Sequence, residues 1–79
     1  MINAYILLSM RTGNSDAALK EMRKLEKVEK ISVVAGEYDV VVRVRVDDLE
    51  QLLEVTNAIQ MIEGVTKTTT QVIEKEIAL

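Results

Sequence analysis

The chain of 79 residues contains no cysteine, histidine, proline, tryptophan or phenylalanine, and only three glycines and two tyrosines. Each absence removes a class of structure or chemistry. Without cysteine there is no disulfide and no thiolate metal site. Without histidine the commonest zinc ligand and the usual neutral-pH proton shuttle are missing. Tyr5 and Tyr38 are the only aromatic residues, too few for a sheet that reads RNA by stacking bases. No Gly-rich phosphate loop, Ser/His pair or metal-ligand cluster is visible, so neither an enzyme nor a cofactor is expected. Thirteen acidic against ten basic residues leave a net charge of −3. An acidic chain without a basic stripe is a poor partner for nucleic acid, where phosphate contacts dominate affinity. The apolar runs are too short to span a bilayer. "MINAYILLSMRTG" has neither a basic segment ahead of its apolar stretch nor a small-residue cleavage site, so no signal peptide is read. A soluble protein of the reducing cytoplasm, without membrane contact, fits these features.

What remains is enough for one small domain spanning 1–79. A core of that size rarely supplies more than roughly 3–5 kcal/mol. With disulfides and metal excluded, self-association is the expected staple.

The apolar pattern divides the chain into six elements. "AYILLSM" (4–10) is too short for a helix and fits a buried strand. Asn14-Ser15-Asp16 supplies helix-start chemistry. Ala18, Met22 and Leu25, with Leu19 and Val28 beside them, make an apolar stripe for a helix running to about Glu29. "ISVVAG" (31–36) reads as a second strand and "DVVVRVRV" (39–46) as a third, with Val40, Val42, Val44 and Val46 on one face and Val41, Arg43 and Arg45 on the other. Asp47 and Glu50 have capping-box spacing for a second helix. Leu49, Leu52, Leu53, Val55, Ile59 and Ile62 form its expected buried side, and Gly64 its C-terminal glycine. "VTKTTTQVIEKEI" (65–77) reads as a fourth strand. Its faces are ambiguous because Val72 and Ile73 are adjacent and both apolar. The order βαββαβ implies an α+β ferredoxin-like sandwich: a four-stranded antiparallel sheet with both helices on one face. The uncovered face must then carry Val41 or one side of "AYILL". An apolar sheet face in water marks an interface, here a dimer through the open sheet face.

Arg43 and Arg45 could bind an anion, but an interface or edge ion pair is the commoner use of such a pattern. The corner Gly36-Glu37-Tyr38-Asp39 between the second and third strands is more pointed. A two-residue hairpin turn would favour Asn-Gly or Asp-Gly. One reading is local: Gly36 supplies a positive φ and Asp39 caps nearby N–H groups. The other is a binding site, in which corner N–H groups take a carboxylate and Asp39 an ammonium. Those are the two ends of a free α-amino acid. Hydroxyls from "TKTTT", Thr68 and Thr70 among them, could complete the pocket. Spacing does not separate the two readings.

"ISVVAGEYD", the alternating valine strand, the Asp48–Leu52 helix start, and Gly64-Val65 with Thr68, Thr70 and Val72 together resemble the RAM domain, the effector-binding domain of the Lrp/AsnC regulators. The resemblance implies sheet-to-sheet dimers that assemble into octamers or decamers. It also implies amino-acid effectors bound between dimers at Gly36–Asp39, with Thr68 and Thr70 nearby. Full-length relatives add an N-terminal helix-turn-helix that reads DNA. This chain opens directly on the first strand, so a RAM domain without helix-turn-helix is expected, one that modulates full-length regulators by co-assembly or senses amino acids alone. Ala35 departs from the threonine that many relatives carry before this glycine. A purely structural assembly module and a small ferredoxin-like enzyme are the competing readings. An ACT domain shares the fold and the ligand class, but "GEYD…GVTKTTT" fits it less well.

Overall fold

The computed structural model describes all 79 residues. Its elements are β1 (Ile2–Met10), α1 (Ser15–Met22), β2 (Val28–Val33), β3 (Val40–Val46), α2 (Leu49–Gln60) and β4 (Val65–Val72). The strands form one antiparallel sheet in the order β2-β3-β1-β4. Each βαβ unit is therefore split by a strand of the other half, the ferredoxin-like arrangement.

Alternation along the strands sorts the two faces. Val40, Val42, Val44 and Val46 are buried. They lie opposite Leu8, Ile6, Ala4 and Ile2 of β1. Ala18 and Met22 of α1 and Leu52, Val55 and Ile59 of α2 close over this face. Burying one such aliphatic side chain is worth roughly 1.5–3 kcal/mol. The other face has Leu7 and Val41 at its centre, with Tyr5 and Arg43 as the neighbouring pair on β1 and β3. Thr69 of β4 lies opposite Leu7 on this same face.

Several boundaries differ from the sequence reading. α1 stops at Met22 instead of running to about Glu29. The N–H groups of Lys24 and Leu25 bond back three residues, to Glu21 at 3.2 Å and Met22 at 3.1 Å. Such tightened turns end a helix. Val28, placed on the helix stripe by its spacing, instead pairs with Val44 and opens β2. The cap of α2 sits one residue later than expected: Asp48 Oδ1 accepts from the Gln51 N–H at 2.9 Å, and Gln51 Oε1 accepts from the Asp47 N–H at 2.9 Å. Leu49 and Leu53 are 66% and 60% exposed, so the buried stripe of α2 is narrower than its leucines suggested. α2 ends at Gln60, and Gly64 belongs to the turn beyond it. There Gly64 takes φ +100°, and a Cβ on it would stand 2.6 Å from Asn14 Cβ. The strand β4 ends at Val72, after which the Ile73 N–H still bonds the Asn3 carbonyl at 2.9 Å.

Candidate functional site at the Gly36–Asp39 corner

The corner is the four-residue loop Ala35–Tyr38, closed by the Val34 N–H donating to the Asp39 carbonyl at 2.9 Å. Gly36 holds φ +152° with open space where a side chain would go. Its need is conformational, since no neighbouring backbone approaches it. Asp39 is tied to the centre of the sheet. Its N–H donates to the Leu8 carbonyl at 2.9 Å, and its Oδ2 accepts from the Met10 N–H at 2.8 Å. The β1–β3 ladder has its last pair at Leu8 and Val40. The Asp39 side chain thus supplies the acceptor that a longer β3 would have offered Met10. Its Oδ1 takes part in no hydrogen bond within the chain. The N–H groups of Gly36, Glu37 and Tyr38 also lack an internal acceptor. Glu37 is exposed and makes no ion pair.

Tyr38 is half-buried, and its hydroxyl lies 3.4 Å from Thr69 Oγ1, a long hydrogen bond. Thr68 and Thr70 lie elsewhere. They sit opposite Leu8 and Ile6, on the helix side of the sheet. Thr68 Oγ1 accepts from Gln60 Nε2 at 2.8 Å and so ties β4 to α2. Of the threonines it is Thr69 that the fold brings to Tyr38, because strand parity alternates and Thr69 has the parity of Leu7.

A cleft of about 400 Å³ opens beside Asp39, with Arg11, Thr12, Asp16, Leu19 and Val34 among its lining residues. Two other open clefts, of about 520 and 650 Å³, lie along α1 away from Asp39. Arg11 lines this cleft and is not singled out by the sequence. Its guanidinium makes no ion pair within the chain, and it is the only basic residue in the β1–α1 loop. The cleft therefore offers two carboxylates, a cation and an apolar wall in a volume that admits a small molecule.

On the open face, Arg43 is engaged internally. It donates to Glu76 through both terminal nitrogens, at 3.1 and 2.9 Å. That bond holds the Glu76 carboxyl below its ordinary range and raises the guanidinium above its own. An ion pair, rather than a free anion site, is what this arginine forms.

The fold is that of a small α+β domain of the split βαβ class. Residues 3–78 match the family described as the Lrp/AsnC ligand binding domain, and the chain belongs to that family, one of regulatory ligand-binding domains and not of enzymes. It is 28% identical over 74 residues to the HTH-type transcriptional regulator FL11 of Pyrococcus furiosus, covering 94% of this chain and 49% of FL11. The chain thus spans about half the length of the curated relatives it matches. Among solved structures, TTHA0845 from Thermus thermophilus superposes with a TM-score of 0.91 at 32% identity, each chain covered completely. The feast or famine regulatory protein Rv3291c of M. tuberculosis, complexed with L-methionine, superposes with a TM-score of 0.83 at 25% identity, over 100% of this chain and 54% of that one.

Proposed function

We propose that this domain binds a free α-amino acid at the Gly36–Asp39 corner and assembles through its open sheet face into dimers and then rings of four or five dimers. The observation that carries the binding half is the pairing of unused groups at one corner. Three N–H groups lack acceptors, and Asp39 keeps one carboxylate oxygen free. Fixed N–H donors suit a carboxylate, and a fixed carboxylate suits an ammonium. The L-methionine complex of Rv3291c supports the same ligand class. Gly36, Glu37, Tyr38 and Asp39 form the proposed wall, with Thr69 beside Tyr38 on the open face, while Arg11 lies in the cleft that only Asp39 of these four lines.

The assembly half rests on Leu7 and Val41, half-buried on the sheet face that neither helix covers. Co-assembly with longer DNA-binding relatives such as FL11 is the corresponding cellular role, in the cytoplasm. A second reading keeps the assembly and removes the ligand. Its support is the Asp39–Met10 bond, which gives this carboxylate a structural task.

A thermal-shift screen against the twenty amino acids separates the two. A ligand at 100 times its Kd stabilises by roughly 2.7 kcal/mol, a shift of about 10 °C or more for a domain of this size. No shift with any amino acid at millimolar concentration would leave only the assembly reading.

A further inference from the structure

The open face holds one fully engaged cation. Arg43 lies opposite Tyr5 in the β1–β3 register, with its guanidinium carbon 5.5 Å from the Tyr5 ring centroid. One terminal nitrogen donates to the Tyr5 hydroxyl at 3.2 Å and to Glu76 Oε2 at 3.1 Å, and the other to Glu76 Oε1 at 2.9 Å. Glu29 Oε1 stands 3.4 Å from Arg43 Nε. The result is a guanidinium gripped from several sides, its side chain 20% exposed.

Glu76 reaches this position from outside the sheet. β4 is an edge strand separated from β3 by β1, and Glu76 lies four residues beyond Val72, the last residue of β4. To meet Arg43 the tail must turn from the β4 edge toward the open face, where the guanidinium reaches over Tyr5 of β1. Ile77 and Leu79 beyond it are exposed, so past the half-buried Ile73 the Glu76 carboxylate is what holds the tail there.

In a single chain this pair is worth little, because Glu76 remains 53% exposed and water screens such pairs. Its weight changes when the face is covered. A guanidinium placed under a second sheet without its counter-charge is strongly unfavourable, whereas a forked, hydrogen-bonded pair is tolerated. We propose that Glu76 is a determinant of self-association: it neutralises Arg43 within each chain, so that a second copy of this chain can cover the open face. The proposal rests on the reading that two copies meet at this face.

Charge selects a second copy over a basic or an acidic partner. Arg45 is 54% exposed with its nearest carboxylate, Glu29, at 4.0 Å, so the face shows both signs, with one cation only loosely held. Two-fold pairing can set unlike charges against each other across such a surface, and a partner of one sign cannot.

The test is sedimentation equilibrium on the parent chain, Glu76→Gln, Arg43→Gln and the double variant, with circular dichroism to check folding. Glu76→Gln should weaken the dimer at least about tenfold, because it removes the forked hydrogen-bonded partner and leaves Arg43 only the 3.4 Å contact with Glu29. The double variant should return to within about threefold of the parent, since the two charges go together and Glu29 keeps Arg45 at 4.0 Å. A Glu76→Gln chain that dimerises like the parent, or a double variant as weak as the single one, overturns the role of Glu76 and leaves face-to-face pairing standing. A parent that stays monomeric at every concentration removes the pairing itself, and the role of Glu76 with it.

Discussion

Replacing Asp39 by asparagine and by alanine separates its two tasks, because each of its oxygens has a different partner. Oδ2 accepts the Met10 N–H at 2.8 Å. An asparagine carbonyl in the same place still accepts that bond, so Asp39→Asn should melt within a degree or two of the parent. Alanine removes the acceptor. A hydrogen bond to a charged group contributes about 1.5–3 kcal/mol, less where water reaches it, and 1 kcal/mol moves the Tm of a domain this small by roughly 4–8 °C. Asp39→Ala should therefore lose several degrees. The ligand responds differently. In the proposed site Oδ1 meets an ammonium, and asparagine presents a neutral amide there. Losing the charged partner in a desolvated site costs roughly 2–5 kcal/mol. That corresponds to at least a ~30-fold loss of affinity. Calorimetric titration with the strongest amino acid from the screen, beside melting curves of all three proteins, reads both quantities. If Asp39→Asn binds as tightly as the parent, the ammonium is not at Asp39, and the carboxylate serves only the end of β1.

Gly64→Ala combines a positive φ with a contact of 2.6 Å to Asn14 Cβ, so it should destabilise by about 1–3 kcal/mol. A melting curve unchanged by this substitution would show that the two turns are not packed as described. Acid should free the tail. The carboxyl of Glu76 is held below its ordinary value, chiefly by the hydrogen bond from Arg43. Its contribution is thus fully present above the ordinary carboxylate range and lost as the pH falls through the lowered value. The backbone order parameters of Glu76 and Ile77 should fall as the pH drops below roughly 4, the range of a model carboxylate. Order parameters that stay constant through that range would mean that the tail is held by something other than this pair.

The strands were the most legible part of the sequence. Val40, Val42, Val44 and Val46 alternate strictly, and all four are buried, because a period of two leaves no other face for them. Helix ends were less legible. The stripe Ala18, Met22, Leu25, Val28 keeps helical spacing past Met22, and only the three-residue bonds at Lys24 and Leu25 show where the backbone leaves it. The threonine run had no readable parity, since adjacent Val72 and Ile73 suit either face. Pairing with β1 sets it, and that information lies at the opposite end of the chain. Arg11 carries no motif, and its nearness to Asp39 is a product of the fold. The link from Glu76 to Arg43 spans 33 positions and follows from no local pattern.

The tether on Asp39 has an electrostatic consequence. A carboxylate free to swing can turn away from a like charge, but one pinned at 2.8 Å to Met10 cannot. Glu37 stands two positions away, also unpaired. With Asp16 also lining the cleft beside Asp39 and Arg11 its one cation, an unfilled corner keeps a net negative potential. Bring two such corners within about 8 Å, the screening length of physiological saline, and they repel. A contact between rings or dimers built at these corners would tighten with added salt, opposite to the behaviour expected of one held by ion pairs.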